Sequence, residues 1–264
     1  MGYGCTMVFS ALGGAGSNYL QDAGVYIQRP LSEGASCLPR RHGAAQTLSG
    51  AATRYSEDID LVQVNAEPIK ETMAHLREAL SWLGEPVVKQ KKHNNTLVFR
   101  VQPTDLGAGE IHLKVEINCK EHFSVFPMVR VPFSVENDWF SGRCEVVTYE
   151  LDELVGTKVR TLYQRLKGRD LFDVYTALIT DKLNLDRVMT AYDRYLRFVA
   201  SHAPTYEEFV LNMDEKMHNP EFLGDTTDLL RPGLTFDPQP AWEKVREEIV
   251  SCLINQYFGK NLPY

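Results

Sequence analysis

Between Ile111 and Asn118 the chain alternates without a break. Ile111, Leu113, Val115 and Ile117 are apolar, while His112, Lys114, Glu116 and Asn118 are polar. A period of two predicts a strand with one face in a core. A shorter strand is predicted at Asp58-Ile59-Asp60-Leu61-Val62, where Ile59, Leu61, Val62 and Val64 supply apolar positions. Val87 to Lys92 and Thr96 to Val101 read as a hairpin turning at His93-Asn94-Asn95, and Val129 to Val135 as a further strand. Elsewhere the period is helical. Ile69, Met73, Leu76, Leu80 and Leu83 fall at steps of four and three, predicting a helix over Pro68 to Leu83 with Pro68 in its first turn. After Tyr149, Leu151, Leu154, Val155, Lys158, Val159 and Leu162 trace a helix that Gly168 can end. Arg169-Asp170-Leu171-Phe172-Asp173 opens the next. Leu185 to Ala200 and Ala241 to Phe258 are amphipathic, the latter through Trp242, Val245, Ile249, Leu253 and Tyr257. Pro220, Pro232, Pro238 and Pro240 read as irregular connections. Residues 1 to 53 hold no period for more than a turn or two.

These periods decide which polar side chains share a face. Asp58 and Asp60 project from one side of their strand, and two carboxylates so close repel unless a cation sits between them. Mg²⁺ suits such a pair, because it takes carboxylate oxygens and leaves positions for water and phosphate. A strand end with two solvated acids is the competing reading, since Asp-x-Asp alone is a weak signal. Lys114 and Glu116 also share a face. If their strand lies beside the first, Glu116 brings a third carboxylate, and two metals shared by three carboxylates suit an in-line phosphoryl or nucleotidyl displacement. The alternative is an exposed Lys114–Glu116 ion pair. Lys158 falls on or beside a buried stripe, where a lysine needs an anion such as a phosphate or an acid. Arg160, Arg165, Lys167 and Arg169 concentrate positive charge around it. Asp170 and Asp173 share a helix face near an N-terminus, which capping explains for one of them. Lys89, Lys91 and Lys92 make one hairpin strand basic, as an edge guarded against pairing or as a nucleic-acid contact.

Composition narrows the class. With 264 residues, 44% hydrophobic and 24% charged, the chain is sized for one large or two smaller globular domains. No apolar run is long enough to cross a bilayer and the first residues lack a secretory pattern, so no membrane partner is expected, and the cysteine usage suits a reducing cytoplasm. Five widely spaced cysteines without a Cys-x-x-Cys pair argue against a zinc site or disulfide framework. A net charge of -7 restricts any nucleic-acid contact to a local patch. Gly13-Gly14-Ala15-Gly16-Ser17 lacks the strand and lysine of a phosphate-binding loop. His202 and His218 have no partner at ligand spacing.

The stretches Arg-Tyr-Ser-Glu-Asp-Ile-Asp-Leu, Lys-Val-Glu-Ile-Asn and Glu-Leu-Val-Gly-Thr-Lys-Val-Arg-Thr-Leu-Tyr-Gln-Arg-Leu-Lys-Gly-Arg-Asp-Leu-Phe-Asp-Val-Tyr occur in that order. From Arg54 to Tyr175 this resembles the AbiEii/AbiGii-type nucleotidyltransferase toxins. The resemblance implies an α+β fold, with a polymerase-β-like nucleotidyltransferase core over 54–148 and a helical domain over 149–264. It implies Asp58 and Asp60 as metal ligands, with Lys114 and Glu116, Leu154 and Lys158, and Asp170 and Asp173 at three further motifs. Glu116 would complete the metal site and serve as a base. Ser56, Lys114 and Lys158 would contact nucleotide, and Asp170 and Asp173 would fix basic residues or assist proton transfer. The implied activity is Mg²⁺-dependent transfer of a nucleoside monophosphate from an NTP to an acceptor hydroxyl. RNA, such as a tRNA 3′ end, is the implied acceptor, and the implied setting is a toxin–antitoxin or abortive-infection system with a cognate antitoxin. A protein acceptor, or a non-catalytic descendant that binds only nucleotide or antitoxin, are the alternatives.

One departure stands out. The family carries a Gly-Gly-Thr/Ser motif just upstream of Asp-x-Asp, and this chain has none there. Residues 1–53 are therefore expected to be an irregular or disordered, out-of-frame segment, and the chain as written to be poorly active. With free codon choice, Cys37-Leu38-Pro39-Arg40-Arg41-His42-Gly43 can be written so that a shift of one base gives Ala-Phe-Arg-Gly-Gly-Thr. Its continuation permits Ala-Leu-His-Lys-Leu-Phe-Leu directly ahead of Arg54.

Overall fold

The computed structural model describes residues 25–27, 58–101, 111–136, 141–180, 183–230 and 233–254. The chain divides into two compact units, Met1–Tyr149 and Glu150–Tyr264. The first is built on a sheet, the second on helices. Together they make the α+β class that the resemblance implied.

Among the described residues of the first unit, seven strands form one mixed sheet: β1 Val25–Ile27, β2 Asp58–Gln63, β3 Val87–Lys91, β4 Asn94–Val101, β5 Ile111–Asn118, β6 Val129–Glu136 and β7 Ser141–Thr148. Their order is β3-β4-β5-β2-β1-β7-β6. The β2–β5 and β1–β7 pairs are parallel, and the other pairs antiparallel. Ile59 and Leu61 of β2, Leu97 and Phe99 of β4, and Leu113, Val115 and Ile117 of β5 are all buried. Helix α1, Ile69–Ala79, and a 3₁₀ turn at Ser81–Leu83 bury Met73, Leu76, Leu80 and Leu83. Pro68 sits at the N-cap. Gly84 ends the segment at φ 86°, a left-handed backbone that glycine adopts without a Cβ clash.

The hairpin turn is tighter than the sequence suggested. Lys92 and His93 make the turn, while Asn94 and Asn95 already pair with Lys91 and Gln90. Two bonds to Cys119, just past β5, anchor the turn. Asn95 Nδ2 donates to Cys119 Sγ at 3.3 Å, and the Cys119 amide donates to the His93 carbonyl at 3.0 Å. Two strands went unanticipated. β7 offers no clean alternation, and its pairing with β6, residue for residue from Val129↔Thr148 to Glu136↔Ser141, defines it. β1 lies in the segment expected to be irregular, yet Val25–Ile27 pairs with Leu61–Gln63. The rest of residues 1–53, including Gly13–Ser17 and Cys37–Ser49, lies outside the described residues.

The second unit packs α2 Leu151–Gln164, α3 Gly168–Thr180, α4 Leu185–Val199, α5 Tyr206–Met217, α6 Pro220–Gly224 and α7 Pro238–Val245. Val155, Val159, Leu162, Leu171, Val188, Tyr192, Leu196, Phe209, Trp242 and Ile249 form its core. Asn184 caps α4, and Thr205 with Glu208 makes a capping box on α5. The last helix is interrupted. α7 gives way to a π-helical turn over Arg246–Val250 that keeps Ile249 and Val250 buried, and Tyr257 lies outside the described residues.

Two readings of helix boundaries are corrected. Gly168 opens α3 instead of ending α2, which finishes at Gln164 with Arg165 extended. Its requirement is space, since a Cβ there would stand 2.0 Å from the Phe222 carbonyl oxygen. Pro220 and Pro238 begin helices, at a position whose amide has no partner within the helix. Among the described residues no helix is long and apolar enough to cross a membrane.

Candidate active site

The parallel pairing of β2 with β5 assembles the first polar group. Asp58 lies opposite Lys114 and Asp60 opposite Glu116. Side chains at paired positions share a face, so the alternation that buries Ile59, Leu61, Val115 and Ile117 turns all four polar residues to the other side. Lys114 Nζ stands 2.9 Å from Asp58 Oδ1 and 3.9 Å from Glu116 Oε1. Asn94 Nδ2, from β4, reaches Glu116 Oε2 at 3.5 Å. Partial burial lowers the Lys114 pKa. The hydrogen bond to Asp58 and the charges of Asp58, Glu116 and Asp60 outweigh it, so the lysine titrates above its usual value.

This face gathers three carboxylates and one ammonium. Among the described residues no three acids, histidines or cysteines form a ready-made metal-holding group. The donor set still fits Mg²⁺. Asp58 and Asp60 supply hard carboxylate oxygens from one strand face, and Mg²⁺ is usually held by one or two carboxylates together with substrate phosphates. Ser56, expected to contact nucleotide, lies outside the described residues.

The second polar group belongs to the helical unit. Lys158 of α2 is buried, with its side chain 8% exposed, and Nζ lies 2.5 Å from Asp173 Oδ2 and 3.6 Å from Asp170 Oδ1. Asp170 is fully buried and meets Arg165 twice, at 2.5 Å from Nε and 2.6 Å from Nη2. The three-residue spacing of Asp170 and Asp173 on α3 lets both acids reach Lys158. Leu154, the other residue of its motif, is buried core. Beside this network, the Arg160 guanidinium lies 5.6 Å from the Tyr195 ring centre, and the Tyr195 hydroxyl donates to Glu153 at 2.7 Å.

Two further residues take part whose sequence context does not mark them. Arg165 was only one of a run of cations, and its role follows from the extended residue between α2 and α3 that turns it onto Asp170. Lys216 of α5 is 7% exposed and donates to the carbonyls of Leu162 and Tyr163, the latter at 2.7 Å. It thereby satisfies acceptors left open at the end of α2. Burial lowers its pKa to about 8, against the pull of Asp170. No local pattern marks Lys216, because its partners lie more than fifty residues earlier.

Comparisons with known proteins give the family. The family model described as the nucleotidyl transferase AbiEii toxin of type IV toxin–antitoxin systems matches residues 34–248. Among solved structures, the chain is similar to the nucleotidyltransferase toxin MenT4 from Mycobacterium tuberculosis H37Rv. The two are 15% identical with a TM-score of 0.46, over 96% of this chain and 98% of that one. An antigenic nucleotidyltransferase-like protein from Paracoccidioides brasiliensis is 14% identical with a TM-score of 0.40, over 73% of this chain and 87% of that one. No curated protein matches the chain. The family match spans most of both units and takes in the Asp-x-Asp strand, its lysine–glutamate partner and the Lys158 network. The chain belongs to the AbiEii nucleotidyltransferase toxin family.

Proposed function

We propose that this nucleotidyltransferase uses Mg²⁺ to move a nucleoside monophosphate from an NTP to a hydroxyl on RNA, as the toxin of a cytoplasmic toxin–antitoxin pair active in abortive infection. The observation that carries the reading is the β2–β5 register, which brings Asp58, Asp60, Lys114 and Glu116 onto one sheet face. Asp58 and Asp60 would hold Mg²⁺, which when bound supplies charge for the triphosphate and its leaving pyrophosphate. Lys114, 2.9 Å from Asp58 on this face, offers an ammonium to phosphate oxygens. Glu116, which accepts from Asn94, would take a proton from the acceptor hydroxyl. Asp170 and Asp173 hold the Lys158 ammonium between them, and Lys158 is proposed to neutralise phosphate charge.

Pyrophosphate release from NTP in the presence of total RNA tests the assignment. Asp60→Ala should abolish release while the protein stays folded, because removing one of two repelling acids relieves strain when no metal is bound. Full activity in that variant would refute the site. Lys158→Ala should weaken NTP use strongly, and Lys158→Arg should restore only part of it, because a planar guanidinium does not replace a point charge. Normal nucleotide affinity with lost stability would make Lys158 structural only. We further propose that residues preceding Arg54 are read out of frame, leaving the chain without glycine amides to cradle the triphosphate and poorly active as written.

A further inference from the structure

The sheet face that carries the carboxylates continues to the basic edge of the sheet. Lys89 pairs with Thr96, Thr96 with Glu116 and Glu116 with Asp60, so these four residues lie in one row across β3, β4, β5 and β2. Lys91 heads the next row, through Asn94 and Asn118, and Arg100 pairs with His112 on the same face. Residues 87–101 hold four cations, Lys89, Lys91, Lys92 and Arg100, and no acid, in a chain whose net charge is -7. Lys89, Lys91, Arg100 and His112 are exposed. Among the described residues none of the four cations has an ion-pair partner.

Edge protection explains part of this pattern and not all of it. Lysines guard an edge strand against pairing with another chain, and β3 is an edge. That role does not reach Arg100, which sits on β4 with a strand on each side. It also does not require Lys89 and Lys91 to share the carboxylate face.

We propose that Lys89, Lys91 and Arg100 form a docking strip for the phosphodiester backbone of a single-stranded nucleic-acid acceptor. The inference rests on the nucleotidyltransferase reading above and adds where its acceptor lies. Distance separates Lys89 and Lys91 from the NTP, while Arg100, paired with His112 two residues from Lys114, forms the near end of the strip. Lys89 stands two strand spacings, about 10 Å, from Glu116, and three, about 14 Å, from Asp60. A triphosphate held at Asp58, Asp60 and Lys114 does not span that gap, whereas a strand with a phosphate at every nucleotide does. An acidic protein would meet the same charges, but it does not carry a negative charge at the regular spacing of a phosphodiester backbone.

The test reads binding without turnover. A labelled single-stranded oligoribonucleotide is titrated into the full chain carrying Asp60→Ala, alone and combined with Lys89→Gln and Lys91→Gln, at increasing salt. Affinity should fall by roughly an order of magnitude, and the slope of log K against log salt should become shallower by about 1.4 for two lost phosphate contacts. In an otherwise wild-type chain, the same two changes should raise the acceptor KM and leave the NTP KM unchanged. Arg100→Gln is the second variant, read even if the lysine variant self-associates through its edge, and should lower the slope by about 0.7. Unchanged affinity and slope in both variants overturn the strip. So does displacement of the RNA by polyglutamate at equal charge concentration, which would point to an acidic protein partner. Pyrophosphate release at limiting RNA that depends on Asp60 but not on Lys89 or Lys91 would reject the strip and leave the nucleotidyltransferase reading intact. Release independent of Asp60 would reject that reading instead.

Discussion

At Lys114 burial and charge act in opposite directions, and charge wins because Asp58 is 2.9 Å away with Glu116 and Asp60 close by. At Lys216 burial wins. Its contacts are two neutral carbonyls, and its pKa falls from 10.5 to about 8. The folded chain thus releases this proton before the unfolded chain does, so folding gains stability as pH rises through that interval. The unfolding free energy of the wild type, compared with Lys216→Met, should shift in favour of the wild type between about pH 8 and 10.5. A difference that stays flat with pH would show that Lys216 titrates normally. Asp170 poses the reverse problem, as a fully buried acid held by Arg165 and Lys158. Asp170→Asn keeps the shape but leaves two cations facing a neutral group, and should cost about 3 kcal/mol in chemical denaturation. A loss of only a few tenths would mean that the network adds little to folding.

At the scale of elements, two glycines mark where backbones approach too closely for a side chain. A Cβ on Gly156 of α2 would lie 2.7 Å from both Ala191 Cβ and the Val188 carbonyl of α4, and 2.9 Å from the Tyr192 amide nitrogen. Alanine favours a helix by about 1 kcal/mol over glycine. Here that gain is outweighed, because two of the three neighbours are backbone atoms and cannot swing away. Gly156→Ala should destabilise by about 1–3 kcal/mol and lower Tm. A rise in Tm would show that α2 and α4 can separate at little cost. The strands give a companion case. The β2–β5 alignment fixes which polar residues meet, and a slip of one residue would turn Asp58 and Asp60 into the core. The buried set Ile59, Leu61, Val115 and Ile117 forbids that slip.

Across the whole molecule, the family match begins at residue 34, inside the stretch that carries no periodicity. Gene sequencing checks the proposed change of frame directly. Codons from Cys37 to Leu48 that spell a Gly-Gly-Thr or Gly-Gly-Ser motif one base along are expected, and incompatible codons end the proposal. The sequence by itself determined the strand at Ile111–Asn118, the Asp-x-Asp strand and the long helices after Tyr149. In each, the apolar period is strong enough to name the element and the face that leads into the core. It also determined that Asp58 and Asp60 share a face, as do Lys114 and Glu116, because those pairings depend only on strand alternation. Tertiary structure decided the rest. Strand order placed β5 beside β2 and set Asp60 opposite Glu116. Pairing with β6 defined β7, and pairing with β2 and β7 drew Val25–Ile27 into the sheet. Gly168 opens a helix because of the Phe222 carbonyl, and Lys216 reaches α2 across more than fifty residues. A residue's face follows from its neighbours in the chain, but its partner follows from which elements pack together, and that is settled by long-range burial and hydrogen bonding.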